Sequence, residues 1–275
     1  MSAEAPSRPA VLVLGMHRSG TSAFTRVLAL HGLALPSKLL VAQPSNPRGY
    51  WESRAVTLLD DRILKAAGRS WSDPRPPVAG QLTQDQHQRF AAQALNILRE
   101  ELPGEAPFVL KDPRICRLMW FWEPVLREFG VSPRVVMPVR NPLEVARSLA
   151  EREGLETAES LRLWLGHVLA AERDTRHLRR AVVHYDELLA DWRGLLAQLG
   201  MPVREETELE TVAFLSARLR HHDISTDDLL RDPAVPAPIK RVYAELRGAS
   251  AETSLDPAPF EVAVAWLDST VGAEP

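Results

Sequence analysis

Between Pro9 and His31 the chain passes from an apolar run through a glycine-bounded loop into a helical pattern, and this junction constrains the fold more than any other segment. Pro9-Ala10-Val11-Leu12-Val13-Leu14 is short and apolar throughout, as expected of a strand buried on both faces. Ser22 to His31 is predicted to be a helix whose apolar face carries Phe24, Val27, Leu28 and Leu30, stopping near Gly32. The loop between them is Gly15-Met16-His17-Arg18-Ser19-Gly20-Thr21-Ser22. Its glycines have the spacing of the phosphate-binding pattern G-x-x-x-x-G-K-[ST], with a strand before and a helix after. The helix start would aim N–H groups and a positive dipole end at an anion. The lysine of that pattern is replaced by Thr21. That lysine normally reaches the β- and γ-phosphates, so its loss argues against an ATPase or kinase. Arg18 puts a cation inside the loop instead, with Ser19, Thr21 and Ser22 as hydroxyl donors, an arrangement that grips an anion without calling for magnesium. The alternative is a strand–helix turn that binds nothing.

The rest of the sequence repeats the alternation. Strands are predicted at 108–110, 134–139 and 181–185, with Pro138 suggesting a bulge or irregular end in the third. Helices are predicted at about 55–67, 83–101, 141–153, 159–180 and 191–199. Such alternation implies a three-layer α/β/α fold with a central, mainly parallel sheet, like that of the P-loop NTPases. A chain of 275 residues suits one large domain or two small ones. The expected division is a disordered leader over 1–9 and a single domain over 10–275. Its loop-rich segment 45–80 and its tail 207–275 are expected to shape the pocket for a second substrate.

A second anion point is expected where the third strand ends. Arg140 closes that strand, and Ser148 follows two helical turns later in Arg140-Asn141-Pro142…Ser148. Strand ends and the following helix line the crevice at the carboxyl edge of an open α/β sheet. Together with the first loop, this pair implies a ligand with two separated anionic groups.

The ordered set of motifs resembles the sulfotransferases that use 3′-phosphoadenosine-5′-phosphosulfate (PAPS). In that family a loop such as Arg18-Ser19-Gly20-Thr21-Ser22 binds the 5′-phosphosulfate and an Arg…Ser pair such as Arg140 and Ser148 binds the 3′-phosphate. His184-Tyr185-Asp186-Glu187-Leu188 is similar to the family's strand-ending tyrosine segment, which implies that Tyr185 reaches the adenine. The resemblance covers most of residues 10–200. Arg18, Glu52 and Lys111-Asp112-Pro113 look more like the protein-tyrosine and bacterial branch than the cytosolic phenol and steroid enzymes. The resemblance thus implies sulfuryl transfer from PAPS, with PAP as product, to a hydroxyl or amine of a small molecule, natural product or glycan. Glu52 would be the base, with Lys111 and Arg18 stabilising the transition state. Glu52 as a cap of the next helix, and Lys111 as a surface partner of Asp112, are the alternative readings. His17 lies in the loop as a rival base and a further cofactor contact, alongside Gly15 and Gly20. Arg220, near Arg218, His221 and His222, is the candidate replacement for the family's C-terminal phosphate contact. Trp51 and Trp71 are the tryptophans expected near the acceptor.

Composition closes off other classes. The 33 Lys+Arg against 36 Asp+Glu give a net charge of −3, which argues against nucleic-acid binding as the main activity. All but Lys38, Lys65, Lys111 and Lys240 of the basic residues are arginines, a skew that fits genome composition. One cysteine, Cys116, excludes an internal disulfide framework and is expected to be a buried thiol. No metal site is expected, since adjacent His221 and His222 seldom share a face. No apolar run reaches the ~20 residues of a membrane span, and 1–9 lacks the basic start of a signal peptide, so a cytoplasmic protein is expected. No membrane partner is expected, and a homodimer is compatible with the sequence. The rival functions are a P-loop kinase of small metabolites using Mg·ATP and a non-catalytic nucleotide-binding module.

Overall fold

The structure is a computed structural model that describes residues 8–44, 46–215, 223–249 and 254–271. Four strands, β1 (Arg8–Val13), β2 (Phe108–Leu110), β3 (Val131–Val139) and β4 (Arg180–His184), form one sheet in the order β2-β1-β3-β4. Every pairing is parallel, with Leu12 opposite Leu110 and Val135, and Val139 opposite His184. Parallel strands require crossovers, and helices supply them on both faces. These are α1 (Thr21–Leu30), α2 (Arg54–Ala66), α3 (Gln84–Glu101), α4 (Met119–Glu128), α5 (Pro142–Glu153), α6 (Thr157–Asp174), α7 (Tyr185–Ala190) and α8 (Trp192–Gln198). Four more follow: α9 (Glu208–Phe214), α10 (Thr226–Arg231), α11 (Ala237–Gly248) and α12 (Ala258–Val271). The result is a three-layer α/β/α architecture.

Alternation along the strands sorts the two faces. Leu12, Phe108, Leu110, Val135 and Met137 point into a core closed by α2, α3 and α4. Val13, Val109, Val136 and Val183 point the other way, against Phe24, Val27 and Leu28 of α1 and Trp192, Leu195 and Leu196 of α8. A third cluster joins Val139 and Val182 to α5, α6, α11 and α12.

Pro138 makes no bulge. Val136 accepts from the Leu14 amide on the β1 side, and Pro138, two residues on, faces that side where β1 has already ended. Its missing N–H therefore costs no ladder bond. β3 begins at Val131, three residues before the apolar run suggested, because Val131, Ser132 and Pro133 still pair with β1. The helix predicted over 159–180 ends at Asp174, since β4 claims the chain from Arg180. No helix among the described residues is long and apolar enough to cross a membrane.

Arg8 and Pro9 belong to β1 and not to a leader. The Arg8 guanidinium donates to Leu102 O and Ala106 O at 2.8 Å each and lies 4.7 Å from the centroid of the Phe108 ring, fastening β1 to the α3–β2 connection. Arg8→Met is expected to lower the free energy of unfolding by about 1–3 kcal/mol, because two inward-facing carbonyls lose a charged donor. Equilibrium urea unfolding measures this, and an unchanged midpoint contradicts it.

Candidate active site

The β1–α1 loop is built around two glycines. A Cβ on Gly15 would sit 2.9 Å from Thr21 Cγ2 and 3.0 Å from Pro138 O. Gly20 has φ +83° and caps α1, and a Cβ there would be 2.2 Å from the Tyr185 ring. Arg18 also adopts positive φ, 67°, which for a non-glycine residue marks a strained, tightly held turn. The loop thus turns so that the first N–H groups of α1, which have no carbonyl partner within the helix, open toward a cavity of about 510 Å³.

The two expected anion points adjoin. Arg18 Nε donates to Ser148 Oγ at 2.7 Å, so the loop cation rests on the hydroxyl that the sequence placed at the second point. Arg140 Nη1 donates to Arg18 O at 3.1 Å, Arg140 Nε donates to Glu144 at 2.7 Å, and the guanidinium carbon lies 5.0 Å from the centroid of the Tyr185 ring. Arg140 Nη2 and Ser19 Oγ are out of solvent without a hydrogen-bond partner among the described residues. Burial, reinforced by the neighbouring Arg152 and Arg140, lowers the Arg18 pKa from its ordinary value. Arg220 lies outside the described residues, as do Arg218, His221 and His222.

At the other side of the loop, β2 ends at Leu110 and delivers Lys111 into the interior, 2% exposed. Its ammonium donates to the Glu52 carboxylate and, at 3.1 Å, to Ser22 Oγ. Ser22 Oγ in turn donates to Tyr50 O at 3.2 Å. Glu52 is 5% exposed, and its pKa is raised: burial outweighs the opposing pull of Lys111. The helix cap after it is Ser53, which accepts from the Val56 amide at 3.1 Å, so the carboxylate of Glu52 is left for the cavity. Asp112 does not pair with Lys111. It accepts from the Arg114 amide at 2.8 Å and from the Arg114 guanidinium at 3.1 Å. Trp51, at φ 58°, turns the chain between Gly49 and Glu52 and packs its ring under Arg26.

The loop-rich segment 45–80 lines much of the cavity, with Asn46, Tyr50, Thr57 and Trp71 among its contributions; of the tail, Phe214 does so. Trp71 is held there by Arg117, a fully buried cation that donates to Ser70 O at 2.7 Å and Trp71 O at 3.0 Å. Burial brings its pKa down to about 10. Trp51 is not a lining residue. Glu144, Arg114 and Arg152 were not singled out from the sequence; Glu144 carried the one available signal, a four-residue spacing from Arg140. Cys116 is buried and its thiol pKa is pushed up by desolvation. No group of three or more His, Cys, Asp or Glu side chains that could hold a metal occurs among the described residues.

His17 lines the cavity with its ring half-buried and its Nε2 shut off from solvent without a hydrogen-bond partner among the described residues. Its ring meets Trp71 edge-on at 4.9 Å and His167 at 6.2 Å. Desolvation, then Arg114, His167, Arg152 and Lys111, hold its pKa well below the usual histidine value. Burial takes His167 to about 3 while its Nδ1 bonds Leu163 O at 2.9 Å.

No protein-family model and no curated protein matches the chain. The solved structures similar to it include three sulfotransferases. The sulfotransferase domain of the Synechococcus PCC 7002 olefin synthase is 16% identical with a TM-score of 0.46, covering 97% of this chain and 98% of that one. The sulfotransferase domain from the curacin biosynthetic pathway is 15% identical with a TM-score of 0.45, covering 99% of each chain. Sulfotransferase STF1 from Mycobacterium tuberculosis H37Rv is 18% identical with a TM-score of 0.44, covering 88% of this chain and 77% of that one.

The histidines give the fold a defined acid sensitivity. A histidine whose folded pKa lies below its unfolded value near 6.5 leaves the unfolded chain binding more protons, so stability falls as pH drops below 6.5. For His167 the loss continues to about pH 3. The thermal midpoint of His167→Gln is expected to fall less steeply than that of the wild type between pH 6.5 and 4.5. Parallel curves would contradict the buried, neutral state of this ring.

Proposed function

We propose that this chain is a sulfotransferase that moves a sulfuryl group from PAPS to a hydroxyl or amine acceptor and releases PAP. The observation that carries the reading is the buried triangle of Lys111, Glu52 and Ser22, closed against the same α1 start whose loop touches Arg140 and Ser148. The donor set suits a nucleotide with two anionic ends. The loop amides, Ser19, Thr21 and Ser22 would hold the 5′ end. Arg140, through its unpartnered Nη2, and Ser148 would hold the 3′ end, and Arg18, expected beside the transferring group, would join them through its bond to Ser148. Tyr185, packed on Gly20 and Arg140, would flank the base. None of these contacts needs a metal, and the loop position where a kinase carries lysine is Thr21.

The bound donor supplies an activated sulfuryl group on a phosphate oxygen. Glu52 Oε takes the acceptor's proton as the acceptor oxygen or nitrogen bonds to sulfur and the bond from sulfur to the phosphate oxygen breaks. Its raised pKa makes it a stronger base than an exposed carboxylate. His17, with its pKa held well below neutrality, is a poor rival and a neutral hydrogen-bonding wall. Lys111 has three donors, two of them committed to Glu52 and Ser22, and the third remains for the oxygen that gains charge as the phosphate leaves. Thr57 and Trp71, which line the cavity, would face the acceptor. The reacting unit would be one domain that includes β1 from Arg8 onward. The acceptor would be a small molecule, natural product or glycan, and the setting cytoplasmic.

Turnover of labelled PAPS against a panel of hydroxyl and amine acceptors tests this. Glu52→Gln is expected to lower kcat by about 10²-fold or more while affinity for PAP stays within a few-fold. In the wild type, kcat/KM should rise with pH through the Glu52 pKa, which lies above the ordinary 4.5, because the base works deprotonated. Thermal stabilisation by PAP in the presence of EDTA is expected; stabilisation by Mg·ATP alone would favour a kinase. Near-wild-type turnover in Glu52→Gln would remove the assigned base.

A further inference from the structure

Arg140 is held by more than its strand. Its Nε donates to Glu144 Oε2 at 2.7 Å and its Nη1 to Arg18 O at 3.1 Å. A guanidinium is planar and rigid, so two fixed nitrogens determine where the third points. The third, Nη2, is the unpartnered one. An exposed i,i+4 ion pair would fix little, but here the carboxylate is 1% and the arginine 9% exposed.

The same carboxylate faces a second element. Glu144 Oε1 accepts from the Ile224 amide at 3.0 Å. Asn141, which caps α5 by accepting from the Leu143 amide at 3.0 Å, donates through Nδ2 to Ile224 O at 2.9 Å. Both backbone groups of Ile224 are therefore held by side chains at the start of α5. The next residue, Ser225, caps α10 by accepting from the Asp228 amide at 3.0 Å.

We propose that Glu144 is a positioning residue that aims Arg140 at the nucleotide's 3′-phosphate and couples that contact to the docking of the chain at Ile224. The proposal rests on the sulfotransferase reading given above. A glutamine at 144 keeps the shape but presents one oxygen and one amide to two donors, so one of them loses its acceptor. The loosened guanidinium then meets the 3′-phosphate less well, while a ligand without that phosphate does not sense the change. Conversely, a 3′-phosphate on Nη2 steadies the guanidinium, the carboxylate and, through it, the Ile224 amide.

The test is calorimetric titration of the full chain, wild type and Glu144→Gln, with adenosine 3′,5′-bisphosphate and adenosine 5′-monophosphate. Hydrogen exchange of the peptide containing Ile224 is followed alongside. The variant is expected to bind the bisphosphate about tenfold more weakly, within the usual range for coupled neighbours, and the monophosphate within twofold of wild type. The bisphosphate should slow exchange at Ile224 in the wild type and not in the variant. Equal weakening of both nucleotides would mark a merely structural role and overturn the proposal, as would no weakening of either. A wild type that binds neither nucleotide overturns the sulfotransferase reading itself and the proposal with it. Should Glu144→Gln fail to fold, Glu144→Asp, whose shorter carboxylate cannot span both donors, is held to the same split.

Discussion

The Lys111–Glu52 ion pair sets the terms for the whole cavity. Two charges taken out of water cost several kcal/mol each unless geometry and further hydrogen bonds compensate them. Lys111 comes from the end of β2, Glu52 from the lead into α2, and Ser22 from the first turn of α1. Keeping the pair satisfied therefore fixes three elements to one another at the carboxyl edge of the sheet. The strained turn at Trp51 follows, because the chain between Gly49 and Ser53 must present Glu52 inward before α2 can begin. A compact cavity with a buried carboxylate and a buried cation is the outcome of that single constraint.

The other cations around the cavity are held in a similar way, each by a specific acceptor. Arg114 is fixed by Asp112 and Asp61, Arg140 by Glu144 and a loop carbonyl, and Arg18 by Ser148. Such anchoring places donors before a ligand arrives, which lessens the reorganisation needed at binding and reaction. It also shows why a net charge of −3 is uninformative about anion binding. What matters is where a handful of guanidinium nitrogens point, and the rest of the arginine-rich surface contributes nothing to that.

Local signals made much of this legible in the sequence, and distance in the chain hid the rest. The strand–loop–helix junction could be read because its glycines and apolar runs are contiguous, and Thr83 and Asn141 announce α3 and α5 as caps. Helix α4 escaped because Met119 to Trp122 is apolar on all sides and Pro124 interrupts the pattern. Side-chain partnerships were invisible where no periodicity reports them. Lys111 and Glu52 are 59 residues apart, and Arg18 and Ser148 are 130 apart. The motif residues stand in contiguous segments, but that Arg18 leans on Ser148, bringing the two expected anion points together, depends on tertiary placement. Glu144 had a local signal, yet its spacing from Arg140 looks like an ordinary helix-surface pair until burial and Ile224 are seen.

A crystal structure of the protein with adenosine 3′,5′-bisphosphate tests the central claim most directly. The 5′-phosphate is expected within hydrogen-bond reach, about 3 Å, of the loop amides at Gly20–Ser22 and of Lys111 Nζ, and the 3′-phosphate at Arg140 Nη2 and Ser148 Oγ. A nucleotide bound with its phosphates reversed, or held away from Arg140 and Lys111, would contradict it.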